Sequence, residues 1–273
     1  MHYEEISPVE SLAAFIKCFW VLEGLSTESE GWERILPDGC TEIVFHLGDR
    51  FEQHTPEGVS QLQPLALLVG QMHRHLLIQP TGRVRVLGVR FWPGGSHPFL
   101  NVPQDEMADQ VIPLDAVCGG GFTEELQSRV ADAVTPGEGV RQIETALLRR
   151  LNRVGRPDDS FVAGVALILR SDGRVSIDTI AGEMGLSLRQ LDRMFNTRVG
   201  ISPKTLSRIL RFQGVFKMLE RNQHHRSWAQ IAVDCGYYDQ AHLIKEFKAF
   251  AGQPPTGYFA EPNMLSDYFT ANL

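Results

Sequence analysis

The sequence predicts a chain of two parts: an α+β N-terminal module, a small antiparallel β-barrel plus a helical hairpin, joined to an all-α C-terminal region of two helix-turn-helix units linked by a long helix. Three observations predict this. Short β-type runs separated by turn residues fill the first hundred positions, helical periodicity takes over from about Thr123, and the last hundred residues repeat themselves at an offset of 51 to 52. Ile180, Ala181 and Gly185 return as Ile231, Ala232 and Gly236. After a one-residue insertion, Ser187, Leu191, Arg193, Phe195, Gly200 and Pro203 return as Asp239, Leu243, Lys245, Phe247, Gly252 and Pro255. A unit that repeats its apolar spacing, turn glycine, helix cap and basic residue together is duplicated supersecondary structure. Two such units suit two successive major grooves of DNA.

The strand signals are Glu33 to Leu36, Thr41 to Leu47, Leu65 to Val69, Leu76 to Ile78 and Val84 to Phe91. Between them stand Pro37-Asp38-Gly39, Gly48-Asp49 and Pro80-Thr81-Gly82, with Pro93-Gly94-Gly95 closing the series, the spacing of an antiparallel barrel or sandwich. Glu124 to Val134 and Val140 to Asn152 read as two helices across the Thr135-Pro136-Gly137 break. Breakers and charge gather at Val154-Gly-Arg-Pro-Asp-Asp159, so the expected domains are 1–154 and 155–273.

In the second domain Ser176 caps a helix with apolar residues at Ile177, Ile180, Ala181 and Met184, a spacing that buries one face. Gly185 turns the chain. Ser187 and Gln190 form an S-x-x-Q capping box for a helix that buries Leu191, Met194 and Phe195 and leaves Arg189, Asp192, Arg193 and Asn196 outward. The first unit thus spans about 176–199. The second, about 227–250, repeats the box at Ser227 and Gln230, and Asp239 caps a helix presenting Gln240, Ala241, His242, Lys245 and Lys248. Pro203, behind Ser202, starts the connecting helix, read over Thr205 to Leu219.

Charge supports the division. The formal net charge of -7 looks wrong for a partner of nucleic acid, but residues 1–154 hold 12 basic against 21 acidic residues and residues 155–273 hold 14 against 12. Between 174 and 226 there are 10 basic and 4 acidic residues. The local field decides attraction to phosphate, not the sum. Cys18, Cys40, Cys118 and Cys235 are too dispersed for a zinc or redox pair, so reduced thiols are expected; Asp38 and Glu42 should raise the Cys40 thiol and make it less reactive. The start of the chain carries no secretory pattern and the longest apolar run, Phe161 to Leu169, is too short to span a bilayer, which leads to a cytoplasmic expectation with no membrane partner.

Two stretches carry a family resemblance. The run IAGEMGLSLRQLDRMFNTRVGISP, followed by IAVDCGYYDQAHLIKEFKAFAGQPPTGY, closely resembles the DNA-binding domain of AraC-type transcriptional regulators over about 174–260. That resemblance implies two helix-turn-helix units on adjacent major grooves of promoter DNA, activation through RNA polymerase, and base-reading positions at Arg189, Asp192, Arg193, Gln240, Ala241 and Lys245, with His242 among them. Side-chain chemistry adds detail. Arg189 or Arg193 can hold guanine bidentately and Gln240 suits adenine; Asp192 either accepts from a cytosine amine or orients a neighbouring arginine, and Ala241 can touch a thymine methyl. Ser187, Lys204, Arg208 and Lys248 are expected on phosphates.

The first part, with CFWVLEG, ILPDGCTEIVFHLGD and LLVGQMHRHLLIQPTGRVRVLGVRFWPGG, is similar over about 3–150 to an uncharacterised, cupin-like domain attached to some of these regulators. It implies a regulatory barrel that binds a small-molecule effector or forms a homodimer. A ligand pocket could use Trp20, Trp32, His46, Phe91 and Trp92, although aromatics on alternating strand positions more often form core. His73 and His75 share a strand face, and Gly88 with Pro93 to His97 and Asn101 distantly echoes a metal-cupin motif. Spacing and ligand count argue against a metal, and neither a cofactor nor a catalytic residue is expected. The alternatives are a cupin-like metal-dependent enzyme with a helical appendage, and a constitutive DNA-binding scaffold.

Overall fold

A computed structural model describes residues 1–25, 31–54, 58–100, 102–154, 159–221 and 227–260. The expected linker residues 155–158, and Asn101, lie outside these.

Ten strands are described: β1 (His2–Ile6), β2 (Ile16–Leu25), β3 (Glu33–Ile35), β4 (Thr41–His46), β5 (Phe51–His54), β6 (Ser60–Leu62), β7 (Ala66–Val69), β8 (Leu76–Pro80), β9 (Arg83–Phe91) and β10 (Val111–Pro113). They form a six-stranded sheet in the order β1-β2-β9-β4-β7-β10 and a four-stranded sheet in the order β3-β8-β5-β6. Each expected strand is present within a residue or two of its predicted ends. β2 carried no alternation signal because both of its faces are buried. Trp20 and Leu22 turn toward the small sheet with Val44, Leu67, Val84 and Val86, whereas Phe19 and Val21 turn the other way with Ile43, Phe45, Leu87, Val89 and Phe91.

That second face is covered by helices. After α1 (His97–Leu100) and α2 (Leu114–Cys118), α3 (Gly120–Ala131) and α4 (Pro136–Val154) form the expected hairpin. Leu126 and Val130 from α3, and Val140, Ile143 and Leu147 from α4, complete the core against β9 and its neighbours. Helical spacing put these residues on one stripe; sheet parity supplied the surface they cover.

The rest is helical: α5 (Asp159–Arg170), α6 (Ile177–Glu183), α7 (Leu188–Val199), α8 (Pro203–Arg221), α9 (Trp228–Asp234), α10 (Gln240–Ala251) and α11 (Pro255–Tyr258). Phe212 of α8 lies 5.1 Å from both Phe247 and Phe250, and Phe161 of α5 packs edge-on against Phe195 of α7 at 5.6 Å. Both helical units therefore share one aromatic core with the connecting helix. Among the described residues no helix is long and apolar enough to cross a membrane.

The two parts are packed together. The amide of Gln213, in α8, donates to Pro37 O at 2.6 Å, and the backbone N–H of His75 donates to Phe250 O at 2.8 Å. Leu36 joins the C-terminal core. Gly200 needs its freedom on two counts: its φ is +97°, and a Cβ there would lie 2.8 Å from Gln104 O.

Candidate nucleic-acid interface

The local chemistry of both helix-turn-helix units is as the sequence dictates. The N–H of Thr179 donates to Ser176 Oγ at 3.0 Å, capping α6. Gly185, at φ +65°, makes the turn. The Ser187 hydroxyl accepts from the N–H of Gln190 at 3.3 Å while Gln190 Oε1 accepts the Ser187 N–H at 2.9 Å, so the capping box is closed. The same reciprocal pair joins Ser227 and Gln230, at 3.3 Å and 3.0 Å, ahead of α9. Asp239 Oδ1 accepts the His242 N–H at 2.7 Å and starts α10. Gly200 and Gly252, both left-handed, end α7 and α10.

These caps set the phase of each helix, and phase decides which side chains face water. On α7, Leu191 and Phe195 are buried while Arg189, Asp192 and Arg193 are exposed. On α10, Leu243 and Phe247 are buried while Gln240, Ala241, Lys245 and Lys248 are exposed. Lys204, at the start of α8, is exposed as well. The C-terminal ends of α7 and α10 contact the barrel, through Gly200 at Gln104 and Phe250 at His75, and the predicted reading positions stay uncovered.

Four expected residues are engaged within the domain, and of these engagements the sequence announced only the Ser187 capping box. His242 turns back on its own helix end: Nδ1 accepts the Tyr238 N–H at 3.4 Å, and the ring meets Tyr237 edge-on. Arg208 donates to Glu246 through Nε at 2.8 Å and Nη2 at 2.7 Å, so its guanidinium braces α8 against α10 rather than standing free for phosphate. Ser187 spends its hydroxyl on Gln190. Asp192 accepts from Asn196 Nδ2 at 3.2 Å, and among the described residues no arginine pairs with it. Tyr238, 89% exposed beside the start of α10, is a further candidate that repeat matching passed over because its counterpart is the inserted position.

Residues 180–261 match a helix-turn-helix domain. The C-terminal region thus contains a helix-turn-helix domain. The chain carries this domain, a fold that binds DNA, behind a β-rich one. Residues 4–113 match a domain of unknown function, DUF6597. No curated protein matches the chain. Similar solved structures include ToxT from Vibrio cholerae, 11% identical with a TM-score of 0.48, covering 89% of this chain and 98% of that one. Another is unsaturated fatty acid bound wild-type ToxT from strain SCE256, 11% identical with a TM-score of 0.47, covering 88% and 94%.

In front of the helix-turn-helix domain, the space between the two sheets holds a cavity of about 70 Å³. Trp20 and His46 line it as expected. Trp32, Phe91 and Trp92 do not: Phe91 is on the opposite face of β9 in the helix-covered core, Trp32 meets the His54 ring at a tilt with centroids 3.7 Å apart, and Trp92 lies under Lys17. Strand parity, not aromatic character, sorted them. Gly88, which suggested a cupin motif, serves Trp20, since a Cβ there would lie 2.0 Å from the indole. His73 and His75 diverge. His73 Nδ1 pairs with Asp109 at 3.0 Å, whereas the ring of His75 lies against Gly252. Among the described residues no three His, Cys, Asp or Glu side chains form a metal-binding group. Burial, with Asp38 beside it, pushes the Cys40 thiol well up, so burial outweighs the charge effect read from sequence.

Sequence reasoning missed the charged end of this cavity. Arg90, 2% exposed, places Nε 2.5 Å from Glu42 Oε1 and 3.6 Å from Asp38 Oδ2. The pattern Val84-Arg85-Val86-Leu87-Gly88-Val89-Arg90 could have shown that Arg90 shares the inward parity of Val84 and Val86.

Proposed function

We propose that the chain binds double-stranded promoter DNA sequence-specifically, with α7 and α10 in successive major grooves, and activates transcription with RNA polymerase under control of the N-terminal domain. The observation that carries this is the phase of the two capped helices: each buries its apolar stripe in the shared core and leaves Arg189 and Arg193, or Gln240 and Lys245, exposed. The connecting helix has 19 residues, roughly 28 Å at 1.5 Å per residue, which suits readers one DNA turn apart. Lys204 and Lys248 serve the backbone phosphates. The proposed domain division is 1–154 and 155–273, with the first part acting by effector binding in the cavity or by homodimerisation. Selection of bound sequences from random duplexes tests the reading: a recovered site with two half-sites about one turn apart is the expected result, and binding without sequence preference defeats it.

A further inference from the structure

The groove between α1, α3 and α4 carries a charge opposite to that of the domain around it. Residues 1–154 hold 12 basic against 21 acidic residues, yet the groove is lined by Arg129, Arg149 and Arg150 against Glu125 alone. Glu125 is already taken: its Oε1 lies 2.6 Å from Arg129 Nη2, one turn along α3. Arg150 lies over the Phe122 ring at 4.5 Å, a contact that orients the guanidinium without neutralising it. Arg149 is exposed on the same helix, and among the described residues neither it nor Arg150 has an acidic partner. Gln142 and Cys118 complete the polar lining without charge, since burial pushes the thiol up.

The floor of the groove is apolar. Phe99 of α1 and Leu126 of α3 are buried, Phe122 and Ala146 are half-buried, and the space they bound is about 600 Å³. That is the size of a site for a small organic molecule, where an apolar lining is joined to a few placed polar groups. We propose that this groove, separate from the cavity between the sheets, binds an organic anion: an apolar body of one or two rings against Phe99, Phe122 and Leu126, and a carboxylate or phosphate head on Arg149 and Arg150. Guanidinium groups suit either head because their paired N–H donors match two oxygens. A cation of the same shape meets two charges of its own sign. Occupancy also has a route to the helix-turn-helix domain, and there the inference rests on the DNA-binding reading above. Phe99 follows closely on Ser96, whose hydroxyl donates to Gln104 Oε1 at 2.8 Å, and the Gln104 backbone packs against Gly200 at the end of α7. An occupant that shifts α1 therefore bears on the seat of the first proposed reading helix.

The experiment is a melting-temperature titration of the full chain with indole-3-propionate, tryptophol and tryptamine at millimolar concentrations, neutral pH and constant ionic strength, with phenyl phosphate beside them. The first three share the indole and its two-carbon arm and differ in head group. Indole-3-propionate should raise the melting temperature by at least about 2 °C, tryptophol by less and tryptamine not at all. A rise with phenyl phosphate and not with the propionate assigns the head to phosphate within the same class. Arg149→Gln, at an exposed position, should raise the concentration for half the shift at least about threefold, and Ala146→Trp, which fills the groove, should abolish the shift. Should the second variant fail to fold, the first carries the test. A rise with tryptamine as large as with the anions overturns the anion class. No rise with either anion, or a rise unchanged in both variants, overturns the site. DNA binding is measured in parallel without ligand, so failure of the DNA-binding reading is seen separately from failure of the groove.

Discussion

At the residue scale, exposure and bonding separate side chains that look equivalent in the sequence. Arg193 is exposed on α7, whereas Arg208 is held by Glu246 across two helices. Arg193→Ala should weaken binding to the selected DNA site by about 1–3 kcal/mol while leaving affinity for random duplex nearly unchanged, as measured by competition titration. Equal losses on both would make Arg193 a phosphate contact. The Arg208 pair makes a different prediction. Burial alone would raise the Glu246 carboxyl, but the hydrogen bonds and charge of Arg208 hold it below the usual range. A carboxylate depressed in the folded state stabilises the fold above its unfolded pKa, and that contribution is lost as pH falls through the folded value. Wild-type protein should therefore lose more melting temperature than Glu246→Gln between pH 5 and pH 3, and the difference at pH 7 should be on the order of 1 kcal/mol because Arg208 is partly exposed. Parallel acid curves for the two proteins would remove the pair from the stability account. Of the candidate site, the exposed members of α7 and α10 were legible because helical phase follows from local apolar spacing. The engagement of Arg208 was not, since its partner is 38 residues away.

At the element scale, each proposed reading helix depends on its cap. Ser187→Ala removes an acceptor for the Gln190 N–H and opens the capping box, which should cost about 1 kcal/mol in chemical denaturation; Ser187→Asp should recover most of it. If Ser187→Ala instead preserves stability and weakens DNA binding uniformly, the hydroxyl works on phosphate and not as a cap. The caps could be read from sequence because every participant lies within three residues. β2 could not, because burial on both faces erases the alternation that marks a strand. Aromatic content misled at β9 for a related reason: adjacent residues on a strand face opposite cores, so Phe91 and the cavity-lining Arg90 are separated by one position and a whole sheet.

At the scale of the whole molecule, Phe212 packs α10 of the second unit onto the connecting helix, inside the core that both units share. Phe212→Ala should destabilise the helix-turn-helix domain by about 3–5 kcal/mol and, through the shared core, abolish binding by both units together, visible as loss of the DNA complex and of cooperative unfolding. Retention of one working half-site would show that the units fold separately. Phosphate contacts are also a collective property. Replacing Lys204 and Lys248 with alanine should flatten the log-log dependence of DNA affinity on salt by about 0.9 for each contact removed, with sequence preference unchanged. The contacts of Gln213 with Pro37 and His75 with Phe250 place the barrel against the same helices. A molecule in the cavity therefore has a short physical route to the spacing of the readers.

Taken alone, the amino-acid sequence determined the duplicated helical units, their caps and turns, the faces their helices bury, and a β-rich module ahead of them. Each of these depends on residues within one helical turn or one hairpin, where spacing and chemistry are enough. Tertiary structure alone decided which aromatics line a cavity, which arginine is a brace, and how Asp38, Glu42, Arg90, His46 and Gln213 come to share one space. Those outcomes depend on strand pairing and helix docking between distant segments, and no local periodicity records which buried face will meet which.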